Sequence, residues 1–202
     1  MRYESRLTCP SCGSSFVEAM PLDACLYFHP CPACGVVMRP RAGDCCVFCS
    51  YGDAPCPPRQ TVVDRVRDGD APAIRALLGR AGLPTAGFRD CGNEVMVARR
   101  GTDVVGCAGL DVRSGGALLR SVAVAADCRG HGLGMKLTEA ALARARQLEV
   151  PAVYLLTTTA EHFFPRFGFE PISREDVPAS VRLSVEFTTA CPASAIVMRA
   201  RL

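Results

Sequence analysis

The sequence predicts an α/β (α+β) protein in two parts: a small cysteine-rich, metal-binding domain over residues 1–60, and a mixed sheet with helices on it over 61–202. Three observations carry this. Nine of the thirteen cysteines fall within the first 56 residues, and four of them form two copies of one Cys-Pro-x-Cys-Gly knuckle. Beyond residue 61 the apolar residues alternate between the period of a strand and the period of a helix, in blocks of matching length. Between one such strand and one such helix stands the glycine-rich run Arg129-Gly-His-Gly-Leu-Gly134.

The knuckles are Cys9-Pro-Ser-Cys12-Gly and Cys31-Pro-Ala-Cys34-Gly, and eighteen residues separate them. That spacing falls inside the pattern of a four-thiolate zinc site, so Cys9, Cys12, Cys31 and Cys34 are the expected ligands of a structural zinc in a zinc-ribbon-like domain. Chain length argues the same way. A segment of about 60 residues with few large apolar side chains buries too little surface to fold alone, and a metal contributes on the order of 10 kcal/mol in such sites. Disulfides are the rival use of these sulfurs, and the charged N-terminal stretch MRYESRLTCP, without an apolar core, reads as a reduced, cytoplasmic protein instead. His29, between the knuckles, reads as a packing or surface residue.

A second cluster lies in GDCCVFCSYG, residues 43–52, with Cys56 shortly after. Cys45 and Cys46 are adjacent, and in an extended chain their side chains point opposite ways, so they are not expected to chelate one ion together. Cys46 and Cys49 suit chelation, with Cys56 or Cys25 as a third sulfur. Three thiolates favour a soft, low-coordinate ion such as Cu(I) or trivalent arsenic; a second structural zinc is the alternative. The string resembles the signature of small bacterial cysteine-rich proteins, which implies metal association. Pro55-Cys-Pro-Pro58 then ends the module near Gln60.

From 61 onward the periodicity predicts a strand over 62–66, a helix over 71–80 with Asp70 as N-cap, and strands over 94–100, 103–112 and 117–125. Ser114-Gly115-Gly116 joins the last two as a hairpin. A helix over 132–148 follows, with Leu133, Leu137, Ala141 and Leu148 on one stripe. A strand over 152–157, a short helix over 160–166 and closing strands near 169–172 and 195–199 complete the pattern.

Glycines in Arg129–Gly134 let backbone N–H groups turn inward as an anion nest, and the following helix adds the positive end of its dipole. The run is neither G-x-G-x-x-G nor a P-loop. Val-x4-Arg129-x-x-Gly132-x-Gly134, followed about thirty residues later by Phe163-Phe164-x-x-Phe167-Gly168-Phe169, resembles the GNAT N-acetyltransferases over the whole of 61–202. Within them LLRSVAV (118–124), YLLTTTAEHFF (154–164) and EFTTACPASA (186–195) are most similar to the arsenic-resistance N-acetyltransferases. LTTTA and Asp176-Val-Pro-Ala are also similar to glutamate N-acetyltransferases. The resemblance implies a mixed, mostly antiparallel sheet with splayed central strands, acetyl-CoA between them, and direct acetyl transfer to an amine.

It also assigns roles. Arg129, Gly130, His131, Gly132, Leu133 and Gly134 would hold the pyrophosphate, while Val122, Ala123 and Val124 would pair with the pantetheine arm and polarise the thioester carbonyl. Phe164 stands where relatives often carry a tyrosine as general acid. Arg120 and Ser121 lie on the strand beside the acetyl group, where Arg120 either clamps an acceptor's carboxylate or is an exposed strand arginine. Tyr154, the one tyrosine after residue 61, could replace the missing phenol or be a core residue. Glu94, Glu161, His162 and Cys128 read as solvated charges, a histidine turned away from Phe164, and inert packing.

The expected reaction is N-acetylation of a small-molecule amine, in arsenic or heavy-metal resistance or, alternatively, of glutamate for arginine synthesis. A metal sensor with an inactive acyltransferase domain is the reading from another class. The formal charge of +3, with five arginines against five acids in residues 1–60, implies no nucleic-acid partner, and no apolar run approaches a membrane span. The oligomeric state stays open, a dimer included.

Overall fold

The computed structural model describes residues 2–21, 25–56, 59–92, 94–130 and 132–202. By its internal contacts the chain divides into two compact units, Met1–Val62 with Arg100–Asp103, and Val63–Arg99 with Val104–Leu202.

In the first unit each knuckle sits at the tip of a small antiparallel hairpin. β1 (Glu4–Thr8) pairs with β2 (Ser15–Ala19), and β3 (His29–Pro30) with β4 (Val37–Met38). A short helix, α1 (Val47–Tyr51), follows within the GDCCVFCSYG stretch. The core here is Leu7, Met20, Met38, Val47, Phe48 and Ala54 around the sulfurs of Cys9, Cys31, Cys46 and Cys56. So few apolar carbons make the sulfur chemistry part of the fold. Gly52, which closes the motif, forms a bridge with Leu7, and a Cβ there would collide with Ser5 Oγ and approach Phe48 O at 2.6 Å and Ala54 O at 2.9 Å. Asp53 accepts from Arg2 Nη2 (2.9 Å), the Arg6 amide (2.8 Å) and Ser5 Oγ (3.0 Å); the Arg2 guanidinium first of all holds its carboxyl down to about 2.

The rest of the chain carries a seven-stranded sheet: β5 (Thr61–Arg65), β6 (Val95–Arg100), β7 (Asp103–Arg113), β8 (Gly116–Val124), β9 (Ala152–Thr157), β10 (Glu170–Pro171) and β11 (Ile196–Arg201), in the order β10-β11-β9-β8-β7-β6-β5. The pairs β10–β11, β11–β9 and β7–β8 are antiparallel, whereas β8 and β9 run parallel. The mixed, mostly antiparallel sheet flanked by helices is thus the fold the sequence predicts, with strand and helix bounds within a few residues of expectation.

One face is covered by α3 (Leu133–Gln147), whose Leu133, Leu137, Ala141, Leu142 and Ala145 pack on Ala98, Ala108, Leu110, Ala117, Leu119, Val153 and Leu155. Each buried leucine there contributes about 1.5–3 kcal/mol. The helix lies so close that a Cβ on Gly106 would stand 2.8 Å from Leu137 Cδ1, which is why β7 breaks its apolar run with glycine. The other face carries α2 (Ala71–Arg80) on Val95, Val97, Cys107 and Ala123, and α4 (Ala179–Arg182) beside Leu118, Ala152, Tyr154 and Val197.

Two local expectations change. Asp70 does stand at the N-cap of α2, yet its carboxylate makes no cap hydrogen bond; it binds the buried Arg99 through two guanidinium contacts, Nη1 at 2.8 Å, and accepts from the Arg67 amide at 2.6 Å. A fixed positive charge outcompetes the helix amides. The helix expected over 160–166 is a turn followed by a 3-10 helix at Phe164–Phe167, because Pro165 supplies no N–H to continue an α-helix.

Candidate functional site

The central feature of the sheet is where β8 stops pairing with β9. The parallel ladder holds Ala117↔Val153 and Leu118↔Tyr154, and no further β8–β9 pair occurs among the described residues although β8 runs on to Val124. The two strands splay, and the side of β8 toward β9 is left without a strand partner over its second half. Backbone groups there are available to an extended ligand.

Within the same stretch β8 carries a bulge. Its register with β7 passes from Gly109↔Arg120 to Cys107↔Ala123, so Ser121 and Val122 together oppose Ala108, and Ser121 takes a left-handed φ of 55°. Burial has pushed the Cys107 thiol up to about 12, so it keeps its proton and donates it to Ser121 O at 3.2 Å. The extra residue reverses the in-out alternation. Ala117 and Leu119 face α3 before the bulge; after it Val122 and Val124 do, while Ala123 packs on the α2 face. One strand therefore offers Val122 and Val124 to one side and Arg120 to the other.

On the α3 side a cavity of about 710 Å³ is lined by Val122, Val124, Arg129, Gly134, Thr159, Ala160, His162, Phe163, Phe164 and Arg166. A second, of about 330 Å³, shares Val124, Arg129, Gly134, Phe163 and Arg166 and adds Cys128, Gly130, Gly132, Leu133 and Met135. Gly130 and Gly132 adopt φ of 79° and 75°, and Gly132 is the N-cap of the fifteen-residue α3, which has no acidic residue in its first turn. Backbone amides, a helix N-terminus and two arginines thus converge on one loop, an arrangement that suits a diphosphate. Arg129 is tied back by its Nε to Val124 O at 3.0 Å, and Arg166 stacks 5.1 Å over the Phe163 ring. Arg166 had no signal in the motif; it becomes visible only once the chain turns after Phe164. His131 lies outside the described residues.

Phe164 is buried against Phe163 and Phe169, at ring distances of 5.1 and 5.7 Å, and forms an apolar wall of the larger cavity. His162, expected to face away from it, lines the same cavity with a side chain 95% exposed, because residues 161–163 form a turn and not a helix. Tyr154 is in the α4-side cluster with Leu118 and Val197 and does not line either cavity. Glu94 is bound by Arg144 (2.6 and 2.9 Å) and Arg65 (3.0 Å), and its carboxyl is held below the usual range by Arg144 first, so it is committed as an ion-pair partner.

Arg120 is neither exposed nor free. Its side chain is 2% exposed, Nη2 binds Glu186 Oε1 and Ala86 O, and Nε donates to Ser121 Oγ at 3.4 Å. Glu186 stands on a π-helical turn, Glu186–Ala190, and burial pushes its carboxyl up against the opposing pull of Arg120. Arg120 Nη1 and Glu186 Oε2 are both buried without a hydrogen-bond partner. Sequence reasoning missed Glu186 because 66 residues separate it from Arg120. Cys91, beside this pair, is pushed up to about 12 by burial and is no nucleophile at neutral pH.

In the cysteine-rich unit Cys9, Cys12, Cys31 and Cys34 have their sulfurs within 4.8 Å of one another, with Cys9–Cys34 at 3.9 Å and Cys12–Cys31 at 3.7 Å. A tetrahedral ion with Zn–S bonds of about 2.3 Å sets sulfur separations of about 3.8 Å, so the four residues fit zinc. Both knuckles have the same turn, Gly13 N donating to Cys9 O and Gly35 N to Cys31 O, each at 2.9 Å. A bound zinc here would cross-link the two hairpins. Removing it with a strong chelator is expected to abolish the unit's structure, read by circular dichroism together with metal analysis; unchanged spectra with no zinc in the protein would refute the site. His29 is not in this group: it binds Glu18 Oε1 (2.9 Å) and lies 5.5 Å from the Phe16 ring.

The second cluster departs from expectation. Cys45 and Cys46 do fall in one group with Cys25 and Cys56, their sulfurs within 4.8 Å of one another, at a bend of the chain ahead of α1. Cys49 lies 3.4 Å from Cys45 and 3.6 Å from Cys56.

The Acetyltransferase (GNAT) domain profile matches residues 91–171, from the 3-10 turn before β6 through β10. An amino-acid acetyltransferase of Mycobacterium tuberculosis is 35% identical over 130 residues, 59% of this chain and 74% of that protein. One of Azotobacter vinelandii is 36% identical over 94 residues, which are 46% of this chain and 22% of the relative. Among solved structures, Rv2747 of Mycobacterium tuberculosis, in complex with CoA and NLQ, superposes with a TM-score of 0.59 at 28% identity over 70% of this chain and 99% of that one. The N-acetylglutamate synthase of Neisseria gonorrhoeae, complexed with coenzyme A and N-acetyl-glutamate, gives a TM-score of 0.61 at 20% identity, covering 71% of this chain and 35% of that one, and so shares the fold. Matched across most of a 35%-identical acetyltransferase, the chain belongs to the GNAT acetyltransferases, which transfer acetyl from acetyl-CoA to an amine.

Proposed function

We propose that the acceptor is an α-amino acid, held by Arg120 and Glu186, and that the donor is acetyl-CoA lying along β8 in the splay. In this reading the amides of Arg129, Gly130, Gly132, Leu133 and Gly134 receive the diphosphate. The unpaired side of β8 at Val122–Val124 receives the pantetheine arm and polarises the thioester carbonyl. The observation that carries the acceptor class is the buried Arg120–Glu186 pair, which retains one unspent donor, Nη1, and one unspent acceptor, Oε2. A carboxylate suits the first, and an ammonium suits the second. Glu186, its proton affinity raised by burial, takes a proton from the ammonium and leaves the amine nucleophilic. The amine attacks the carbonyl carbon, the C–S bond breaks with CoA leaving as thiolate, and the surplus proton on the attacking nitrogen passes to that thiolate or to solvent. A thiol of pKa about 8.5 is a good enough leaving group to depart without a phenol at position 164. The amino-acid acetyltransferases among the relatives support the same acceptor class.

The test is a screen of amino acids, glutamate and arsenic-bearing analogues among them, with acetyl-CoA and detection of free thiol. The best acceptor is expected to lose more than about 10²-fold in kcat/KM when its α-carboxylate is removed, because the site's buried donor is then left unpaired. A decarboxylated amine acetylated as fast as its parent acid would exclude the Arg120 clamp.

A further inference from the structure

Five thiols, Cys25, Cys45, Cys46, Cys49 and Cys56, gather beside α1, and they are not arranged like the four of the knuckle site. Three of them form a nearly equilateral triangle: Cys45–Cys49 at 3.4 Å, Cys45–Cys56 and Cys49–Cys56 both at 3.6 Å. These edges are shorter than the 3.7 and 3.9 Å of the knuckle site and than the roughly 3.8 Å that a tetrahedral zinc imposes. With metal–sulfur bonds of about 2.3 Å, edges near 3.5 Å close the S–M–S angle to about 100°, below the tetrahedral value. That is the geometry of an ion on three sulfurs with a lone pair on its open side.

Charge points to the same occupant. Cys56 is 1% exposed and the neighbouring Val47 and Phe48 are fully buried. Cys45, Cys49 and Cys56 make sulfur-to-sulfur contacts with one another. Zinc on these three thiolates would leave a net charge of minus one beside the buried Cys56. A trivalent ion on three thiolates is neutral.

We propose that Cys45, Cys49 and Cys56 form a binding site for a trivalent, thiophilic metalloid, separate from the zinc-type knuckle site. The trihydroxide M(OH)3 exchanges its three hydroxides for three sulfurs: three S–H and three M–O bonds break, three M–S bonds form, and three waters leave, with no electron transferred. Soft thiolates stabilise such an ion. Cys25 and Cys46 lie outside the triangle. With Cys45 and Cys56 they make up the rival four-sulfur group, which would suit a tetrahedral ion.

The two arrangements share Cys45 and Cys56 and differ in Cys49 against Cys25 and Cys46, which makes them separable. The full-length, zinc-loaded, reduced protein is titrated with arsenite in a thiol-free reductant and weighed by native mass spectrometry. Expected is one arsenic per chain, each addition costing three hydrogens, with the single zinc retained. Cys49→Ser should weaken arsenite binding by more than about tenfold, while Cys25→Ser leaves it within about threefold. Retention of the zinc in both variants reports that the unit is still folded. Loss of arsenite binding in Cys25→Ser but not in Cys49→Ser would overturn the proposal, as would a second zinc that arsenite cannot displace, or no arsenic bound at all.

Discussion

Gly132→Asp is expected to leave the protein folded and to raise its dissociation constant for acetyl-CoA by more than about 10²-fold, close to 3 kcal/mol of binding. The first half follows from position. Gly132 caps α3, and aspartate is a good residue at a helix N-cap. A Cβ there meets no protein atom within 4 Å, so nothing in the fold need move, although φ of 75° costs a non-glycine residue about 1–2 kcal/mol. The second half follows from charge: the new carboxylate would occupy the positive end of the helix that is assigned to the ligand's diphosphate, and would repel it at short range. Calorimetric titration with acetyl-CoA, alongside a thermal melt, decides the matter. Parent-like affinity in a folded variant would move the cofactor site elsewhere.

Arg120→Met should cost about 3–5 kcal/mol of stability, because it strands the Glu186 carboxylate in the interior. The double variant Arg120→Met, Glu186→Met should recover most of that loss, since no charge is then left unpaired, yet acetylate no amino acid. Chemical unfolding of both separates the pair's structural part from its part in acceptor binding. The pH dependence has a defined sign. Burial raises the folded-state pKa of Glu186, so the single variant is most stable where the carboxyl is protonated, and it loses stability as pH rises from the ordinary carboxylate range up through that raised value. A single variant as stable as the parent at neutral pH would mean that water reaches Glu186 and the pair is not the buried clamp described.

The elements that could be read from the sequence are those fixed by local pattern. The stripe Leu133, Leu137, Ala141 gave α3, the alternation in 103–124 gave the β7–β8 hairpin, and knuckle spacing gave the first thiolate group. What escaped depends on contacts distant in sequence. Nothing in LLRSVAV shows that Ser121 is an extra residue, since each of its letters suits a regular strand. Arg120 reads as exposed or ligand-binding until Glu186 arrives from the far side of the domain. The nearness of the Cys45 and Cys46 sulfurs is likewise not legible in the alternation of adjacent residues, because Cys25 and Cys56 close the group from other parts of the chain. Asp70 stands at the helix start that the pattern places it at, and its carboxylate's partner, Arg99, is 29 residues away and outside a local inference.

The bulge at Ser121 has a consequence for how such enzymes can diverge. In the proposed arrangement the groups of this stretch that meet the thioester are main-chain amides, which every residue type except proline supplies. Drift in the letters at 122–124 would leave such amides in place, whereas Ser121, at a left-handed φ of 55°, excludes β-branched residues, and removing a single codon would erase the bulge and run β8 on as a regular strand against Ala108 and Cys107. Inheritance here would protect a count of residues more than their identity, Ser121 excepted, so kinship in this part of the chain is to be sought in spacing.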